Sequence, residues 1–214
     1  VLARTDRGVK RPADIKGKKV GMTQGSTGHY FLSLFLRTNG LKFSDIEAVN
    51  LKTSELTPAL IEGKLAAISS WQPHILNARK SLGEKAVILS SPGIFREDFY
   101  FVPNRDFIRN NPAALARFLR AVQKGAEFIS KNRAEAIDLV SRRLKVERQD
   151  AAAIWNDFNY QVMLDQSILS ALEHEAHWAI EEGLTDKKEI PNYLDYIYFD
   201  ALEKVKPEAV TIVR

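Results

Sequence analysis

Cysteine is missing from this chain altogether, which excludes disulfide bonds and thiol catalysis but leaves the compartment open, since oxidising spaces tolerate cysteine-free proteins. Long apolar runs are missing as well. No stretch approaches the ~20 residues needed to span a bilayer, and no signal peptide begins at Val1. The chain lacks an initiator methionine and opens on the apolar Val1-Leu2-Ala3, as a mature, processed or cut product would. It also lacks a strong charge bias. The net charge of +4 is dispersed over stretches where acids and bases intermingle, and the basic cluster from Arg4 to Lys19 is broken by Asp6, Pro12 and Asp14. No nucleic-acid partner is expected from such a surface.

Signatures of catalysis and of cofactors are equally scarce. A Walker loop needs a Gly-Lys-Ser/Thr ending, and none occurs; the glycines at 21, 25 and 28 miss the dinucleotide spacing. Gly25-Ser26-Thr27-Gly28 does not match the G-x-S-x-G elbow of serine hydrolases. His174 and His177 stand three apart between Glu173 and Glu175, but H-E-x-x-H is not met and no third ligand is placed nearby, so they read as a solvated helix face. The carboxylates lie mainly on helix surfaces. No enzyme activity, metal or cofactor is therefore expected.

What the 214 residues do contain is the composition of a globular protein, 45% hydrophobic and 27% charged, long enough for one large or two small domains. The most informative stretch is Lys18 to Phe31. Val20 and Met22 alternate with Gly21 as in a strand, and from Phe31 the residues Leu32, Leu34, Phe35 and Leu36 keep helical spacing until Gly40. Between them, Gly25 permits a tight turn and Ser26 or Thr27 can cap the helix. An ordinary N-cap has the same residues. Yet a strand feeding a helix through such a loop also aims free N–H groups and the positive end of a dipole at one spot, which is a small anion receptor.

Strands are expected over Val1–Thr5, Glu47–Leu51, Leu65–Ser69 and Ala86–Ser90. Helices are expected near 26–39, from Thr53 or Ser54 to Ile61 with Pro58 in the first turn, and over Pro73–Leu82. This alternation argues for βαβ units and a largely parallel sheet. Phe99–Val102 reads as one more strand. Beyond it the pattern is helical: a helix opened by Asn111-Pro112 with Leu115, Phe118, Leu119, Val122 and Ile129 on one stripe, another restarting at Asn132, a third carrying Trp155, and a fourth capped by Asp165 and running from Gln166 to Gly183. Those helices need a sheet to cover, and few strands remain to supply one.

Ser69-Ser70-Trp71-Gln72-Pro73-His74 forms a second notable loop. It follows a strand and begins a helix, so it lies at the sheet edge that also carries the Gly25–Thr27 loop, where ligands of open α/β sheets collect. Trp71 offers an apolar face there, unless it plugs the core beneath the helix. Trp155 and Trp178 lie within helical stripes and read as core.

Asp14-Ile15-Lys16-Gly17-Lys18-Lys19-Val20-Gly21, Gly25-Ser26-Thr27, Asn39-Gly40-Leu41, Ala59-Leu60-Ile61-Glu62-Gly63 and Trp71-Gln72-Pro73 resemble solute-binding proteins of ABC importers, in the nitrate, taurine, aliphatic-sulfonate and thiamine-precursor group. Asn111-Pro112, Asn132-Arg133-Ala134-Glu135-Ala136, Leu164-Asp165, Gly183-Leu184 and Ile190-Pro191-Asn192-Tyr193-Leu194 continue the likeness to the end. Two departures stand out. Ala66 occupies a position that is usually acidic, and the family carries roughly 80–100 residues before the equivalent of Val1, an ordinary size for most of a lobe.

The resemblance implies an α/β fold of the periplasmic-binding-protein-like type II class, with two α/β lobes joined by hinge strands and the first lobe incomplete. Residues 1–16 would be a hinge strand and remnant of lobe 1, 17–98 a complete lobe 2, and 99–214 a return strand with lobe 1 helices. It implies binding of a small anionic organic solute (a sulfonate, nitrate or relative) and delivery to an ABC permease in the membrane. The location would be periplasmic or extracellular, with a lipid anchor conceivable on the full-length protein. Carried onto this chain, the amides of Gly25 to Gly28 and the hydroxyls of Ser26 and Thr27 would hold the anion. Thr23, Gln24, His29, Trp71 and Gln72 would line the site. With half the cleft missing, affinity is expected to be weak or absent, and an exposed sheet edge to invite dimerisation or strand exchange. A receptor ectodomain or an enzyme on the same fold (thiamine-precursor or menaquinone pathway) are the alternatives, beside a fragment without function of its own.

Overall fold

A computed structural model describes residues 1–91 and 93–214. The chain divides into two compact units, Val1–Glu97 and Asp98–Arg214.

The first unit is built on a five-stranded sheet in the order β3-β2-β4-β1-β5, where β1 is Leu2–Arg4, β2 Lys19–Met22, β3 Glu47–Asn50, β4 Ala67–Ile68 and β5 Ala86–Ile88. β2 runs parallel to β3 and β4, whereas β1 lies antiparallel to both β4 and β5. Four strands therefore point one way, as the alternation of strands and helices suggests, and the opening segment is threaded against them between β4 and β5. Its three residues are all buried, Leu2 and Ala3 because they face opposite sides of a covered sheet.

Helices cover both faces. α1, Thr27–Thr38, packs Leu32, Phe35 and Leu36 against Ala3, Val20 and Met22. α2, Thr53–Ile61, and α3, His74–Leu82, pack Leu56, Leu60, Ala78 and Leu82 against Leu2 and Ile68 on the other side. Gly21 belongs to this second face. A Cβ built there would lie 2.5 Å from Leu65 Cδ1 and 3.0 Å from Leu56 Cδ2, so only glycine lets α2 come down on β2.

Several local expectations shift. Lys52, not Thr53 or Ser54, is the cap residue of α2, because the Thr53 hydroxyl is engaged with Thr23 and Glu55 instead accepts from the Lys52 amide at 2.9 Å. Pro58 then falls inside α2 and not in its first turn. Arg4 is a buried charge. Its Nη1 donates to the carbonyls of Leu60 and Ile61 at 2.7 and 2.6 Å, satisfying the end of α2, while Nε and Nη2 hold Asp6.

The second unit consists of α4 Arg105–Asn110, α5 Pro112–Lys131, α6 Arg133–Leu144, α7 Arg148–Ala153, α8 Gln166–Glu181 and α9 Asp200–Glu203. Asp165 caps α8 by accepting the Ser167 amide at 2.9 Å, and Trp155 is buried with Ala136, Ile137 and Ala151. Among the described residues its only β pairing is a bridge between Leu164 and Val210. Phe99–Val102, expected as a strand, is not one. No strand among the described residues pairs with it, and an isolated segment has no ladder to join. No helix of the described residues is long and apolar enough to cross a membrane.

Candidate anion-binding site

Because β2, β3 and β4 are co-directional neighbours, the loops that follow them emerge side by side at one edge. These loops carry Thr23–Ser26, Leu51–Thr53 and Ser69–Pro73. Their cross-bonding is dense. Thr23 Oγ1 donates to the Leu51 carbonyl at 2.9 Å, so its single proton is used and the 3.2 Å contact with Thr53 Oγ1 has Thr53 as donor. Asn50 accepts the Gln24 amide at 2.9 Å and returns a bond to Gln24 Oε1 at 3.3 Å.

The turn into α1 follows from its residues. Gly25 takes φ +72°, a left-handed torsion that suits glycine. Ser26 is extended at the cap position. Its Oγ accepts the His29 amide at 3.3 Å and donates to the Thr23 carbonyl at 2.6 Å. The Gly25 amide, expected among the ligand donors, is instead given to His29 Nδ1 at 3.3 Å, and the Ser26 amide to the Thr23 carbonyl at 3.2 Å. His29 is buried, its ring edge-on to Phe43 at 5.2 Å, and so braces the loop from beneath. Thr27 and Gly28 are different. For their two amides, and for the Thr27 hydroxyl, no acceptor or partner occurs among the described residues.

The Trp71 loop meets this spot directly. Ser69 is buried and its hydroxyl donates to the Gly28 carbonyl at 2.7 Å. A Cβ placed on Gly28 would lie 3.0 Å from the Ser69 carbonyl and 3.4 Å from Trp71 Cζ3. The indole, half-buried, therefore stands against the first turn of α1, with His74 edge-on to it at 6.0 Å. Gln72 turns back to α3, its Oε1 accepting the Leu76 amide at 3.1 Å. Ser70 Oγ is enclosed and has no hydrogen-bond partner among the described residues.

The structure thus brings Gly28, Thr27 and Trp71 together, places Ser26, Gln24 and Thr23 in the loop's internal bonding, and sets His29 and Gln72 to bracing. Sequence reasoning placed Ser69 and Ser70 in a notable loop and Thr53 at a helix start, but gave no site role to them or to Asn50; Asn50, Thr53 and Ser69 fix the loops. Only the threonine and serine content of those loops hinted at them. Two cavities, of about 560 and 300 Å³, are lined by other residues, Glu173, His174, His177, Ile190, Pro191 and Asn192 around the first and Trp155 and Tyr160 among those of the second. No three metal-ligating side chains gather among the described residues, at His174 and His177 or elsewhere.

A sheet with helices on both faces and loops converging at the ends of parallel strands is the α/β architecture of periplasmic binding proteins, and solved structures match it. The periplasmic aliphatic sulphonate binding protein SsuA from Escherichia coli superposes with a TM-score of 0.77 at 21% identity, over 94% of this chain and 68% of that one. The alkanesulfonate-binding protein SsuA from Xanthomonas axonopodis pv. citri bound to MOPS gives 0.72 at 16%, over 99% and 68%. A mutant of the desulfurization enzyme DSZB, in complex with biphenyl-2-sulfinic acid, gives 0.67 at 14%, over 97% and 75%, so one fold serves binding and catalysis. The chain belongs to the family described as NMT1/THI5 like, whose profile matches residues 1–136. Among curated relatives, a protein of Escherichia coli named for binding aliphatic sulfonates is 25% identical over 144 residues, 67% of this chain and 45% of its own length. The chain spans about half the length of the curated relatives it matches.

Proposed function

We propose that this chain is the solute-binding part of an ABC importer and that it holds a small organic anion, of the sulfonate class, at the first turn of α1. The observation that carries this is the pair of amides at Thr27 and at buried Gly28 that have no hydrogen-bond partner among the described residues, beside the Trp71 ring. Two amides on one helix turn, with the dipole behind them and the Thr27 hydroxyl alongside, suit an oxyanion with several equivalent oxygens. The indole supplies a face for the apolar part of such a molecule. The relatives' names point to the same ligand class.

Each bond to a charged acceptor contributes about 1.5–3 kcal/mol. With two or three such bonds and no second wall described, affinity on the order of millimolar is expected. Release to a permease, residence in the periplasm or outside the cell, a lipid anchor on a longer form, and partition into a hinge strand and remnant of lobe 1 at 1–16, lobe 2 at 17–98 and lobe 1 helices at 99–214 belong to the same proposal. So does self-association through an exposed edge.

Amide NMR tests the site. Titration with taurine, methanesulfonate or MOPS should shift the Thr27 and Gly28 resonances saturably, and a quaternary ammonium salt should not. Trp71→Ala should weaken the response about tenfold, the scale of one well-packed aromatic contact. If neither amide moves with any sulfonate, or if Trp71→Ala and Gly28→Ala leave the response unchanged, the reading fails.

A further inference from the structure

A buried titratable ring lies under the turn that leads into α1 and takes a donor from it. His29, 3% exposed, is the third residue of α1. Its Nδ1 accepts the Gly25 amide at 3.3 Å, so the proton of the neutral ring sits on Nε2. The turn it grips has a second form. Residues 23–26 are closed by the Ser26 amide on the Thr23 carbonyl at 3.2 Å, and Gly25 stands third among them at φ +72°, the pattern of a type II turn. A type I turn keeps the same closing bond and differs by half a rotation of the central peptide, here Gln24–Gly25. Glycine accepts the torsions of both forms. The two bonds between Asn50 and Gln24 use the preceding amide and the Gln24 side chain, so that rotation spares them.

We infer that His29 sets how many amides the site offers: the neutral ring keeps the Gly25 N–H, and the protonated ring releases it to the anion, so that a sulfonate and a proton bind together. An imidazolium carries a donor on each nitrogen, and two donors cannot face one another at 3.3 Å. Rotating the Gln24–Gly25 peptide removes the conflict. The Gln24 carbonyl then accepts from Nδ1–H, and the Gly25 N–H turns away from the buried ring. Burial and the positive end of α1 both disfavour the charged ring in the free protein. An anion at Thr27 and Gly28 opposes both, and so draws the proton on. The ionisable side chains on the elements set against the ring are Tyr30 and Arg37 of α1 and Lys42 and Asp45 beside Phe43; the turn at 23–26 has none. Asp45 already accepts the Lys42 amide at 2.9 Å and pairs with Lys16 at 3.1 Å. Sulfonates stay ionised from neutral to mildly acid pH, so any pH dependence of their binding belongs to the protein. The inference rests on the anion site proposed above.

Methanesulfonate titrations followed by amide NMR test it. Affinity should rise about tenfold or more from about pH 7.5 to about pH 5.5, within the limit of about tenfold per pH unit that uptake of one proton sets. The Gly25 amide should shift with Thr27 and Gly28 at the lower pH and stay behind at the higher. With methanesulfonate bound, the Gly25 amide and the His29 ring nitrogens should titrate at one midpoint. His29→Asn keeps an acceptor near the Nδ1 position but cannot titrate, so its affinity should stay at the high-pH value throughout. His29→Phe keeps a ring and loses the acceptor. An unpaired amide against that ring drives the turn over, so Gly25 should respond at about pH 7.5 and affinity there should exceed the wild-type value about tenfold, the scale of one added bond to a charged acceptor. A purely structural role would weaken both variants alike. His74→Gln, which removes the imidazole beside Trp71, should keep the pH slope. Affinity independent of pH, a slope that survives His29→Asn, separate midpoints for Gly25 and His29, or equal losses in both His29 variants overturns the inference. Silence of Thr27 and Gly28 toward sulfonate at every pH removes the anion site and this inference with it; their response without the pH slope removes this inference alone.

Discussion

The two units use similar helices to different effect. In the first, α1 is 12 residues long and buries Leu32, Phe35 and Leu36 completely, because a sheet lies beneath it. In the second, α5 is 20 residues long and more regularly amphipathic, yet it buries only Leu115 and Ala116, neither of them completely, and leaves Phe118 exposed. An apolar stripe earns stability only from what covers it. The first unit has its cover within the described residues. The second has small satellite clusters, around Trp155 and around Phe199, and among the described residues no sheet of its own.

Matched truncations break this comparison most sharply. Phe35→Ala removes a fully buried ring and should cost about 3–5 kcal/mol, whereas Phe118→Ala should cost under about 1 kcal/mol. Urea unfolding followed by amide NMR, unit by unit, reads both, and equal losses would mean that α5 is covered after all. Next in size is Arg4→Ala. It strips the Leu60 and Ile61 carbonyls of their donor and removes the guanidinium that holds Asp6, so the first unit should lose about 2–3 kcal/mol. Arg4→Lys should recover only part, since one ammonium cannot repeat the planar fork that reaches α2 and Asp6 at once.

The same contrast governs how much could be read from the residues alone. α1 and its flanking strand were legible because strand alternation, a turn glycine, a cap and a helical stripe all agree with the packing they meet. Phe99–Val102 has equally good strand residues, but a strand exists only in company, and its partner is not written in its own sequence. At the candidate site, Trp71 and the Gly28 turn were legible as neighbours because parallel strands bring their following loops to one edge. Which amides go without a partner among the described residues was not. That depends on His29 Nδ1 reaching the Gly25 amide and on Ser26 folding back to Thr23, and those side-chain choices are settled by the burial of His29 against Phe43.

Acid sensitivity should also divide the units, by a smaller margin. The Lys10 amide, then the Arg11 side chain, holds the Asp14 carboxyl below its usual range, and the Lys42 amide, then Lys16, does the same for Asp45. The Arg4 guanidinium lowers Asp6 likewise. All three belong to the first unit. A carboxylate whose folded pKa is depressed contributes stability that is fully present above its unfolded value, near pH 4, and is lost as pH falls through the folded pKa. The first unit's urea midpoint should therefore fall more steeply than the second's as the pH drops below about 4. Asp14→Asn should lower the midpoint slightly at neutral pH and flatten its acid limb, because the mutant has one fewer proton to take up on unfolding. A parallel shift of the whole curve, with the acid slope intact, would place the sensitivity elsewhere than in these turn carboxylates.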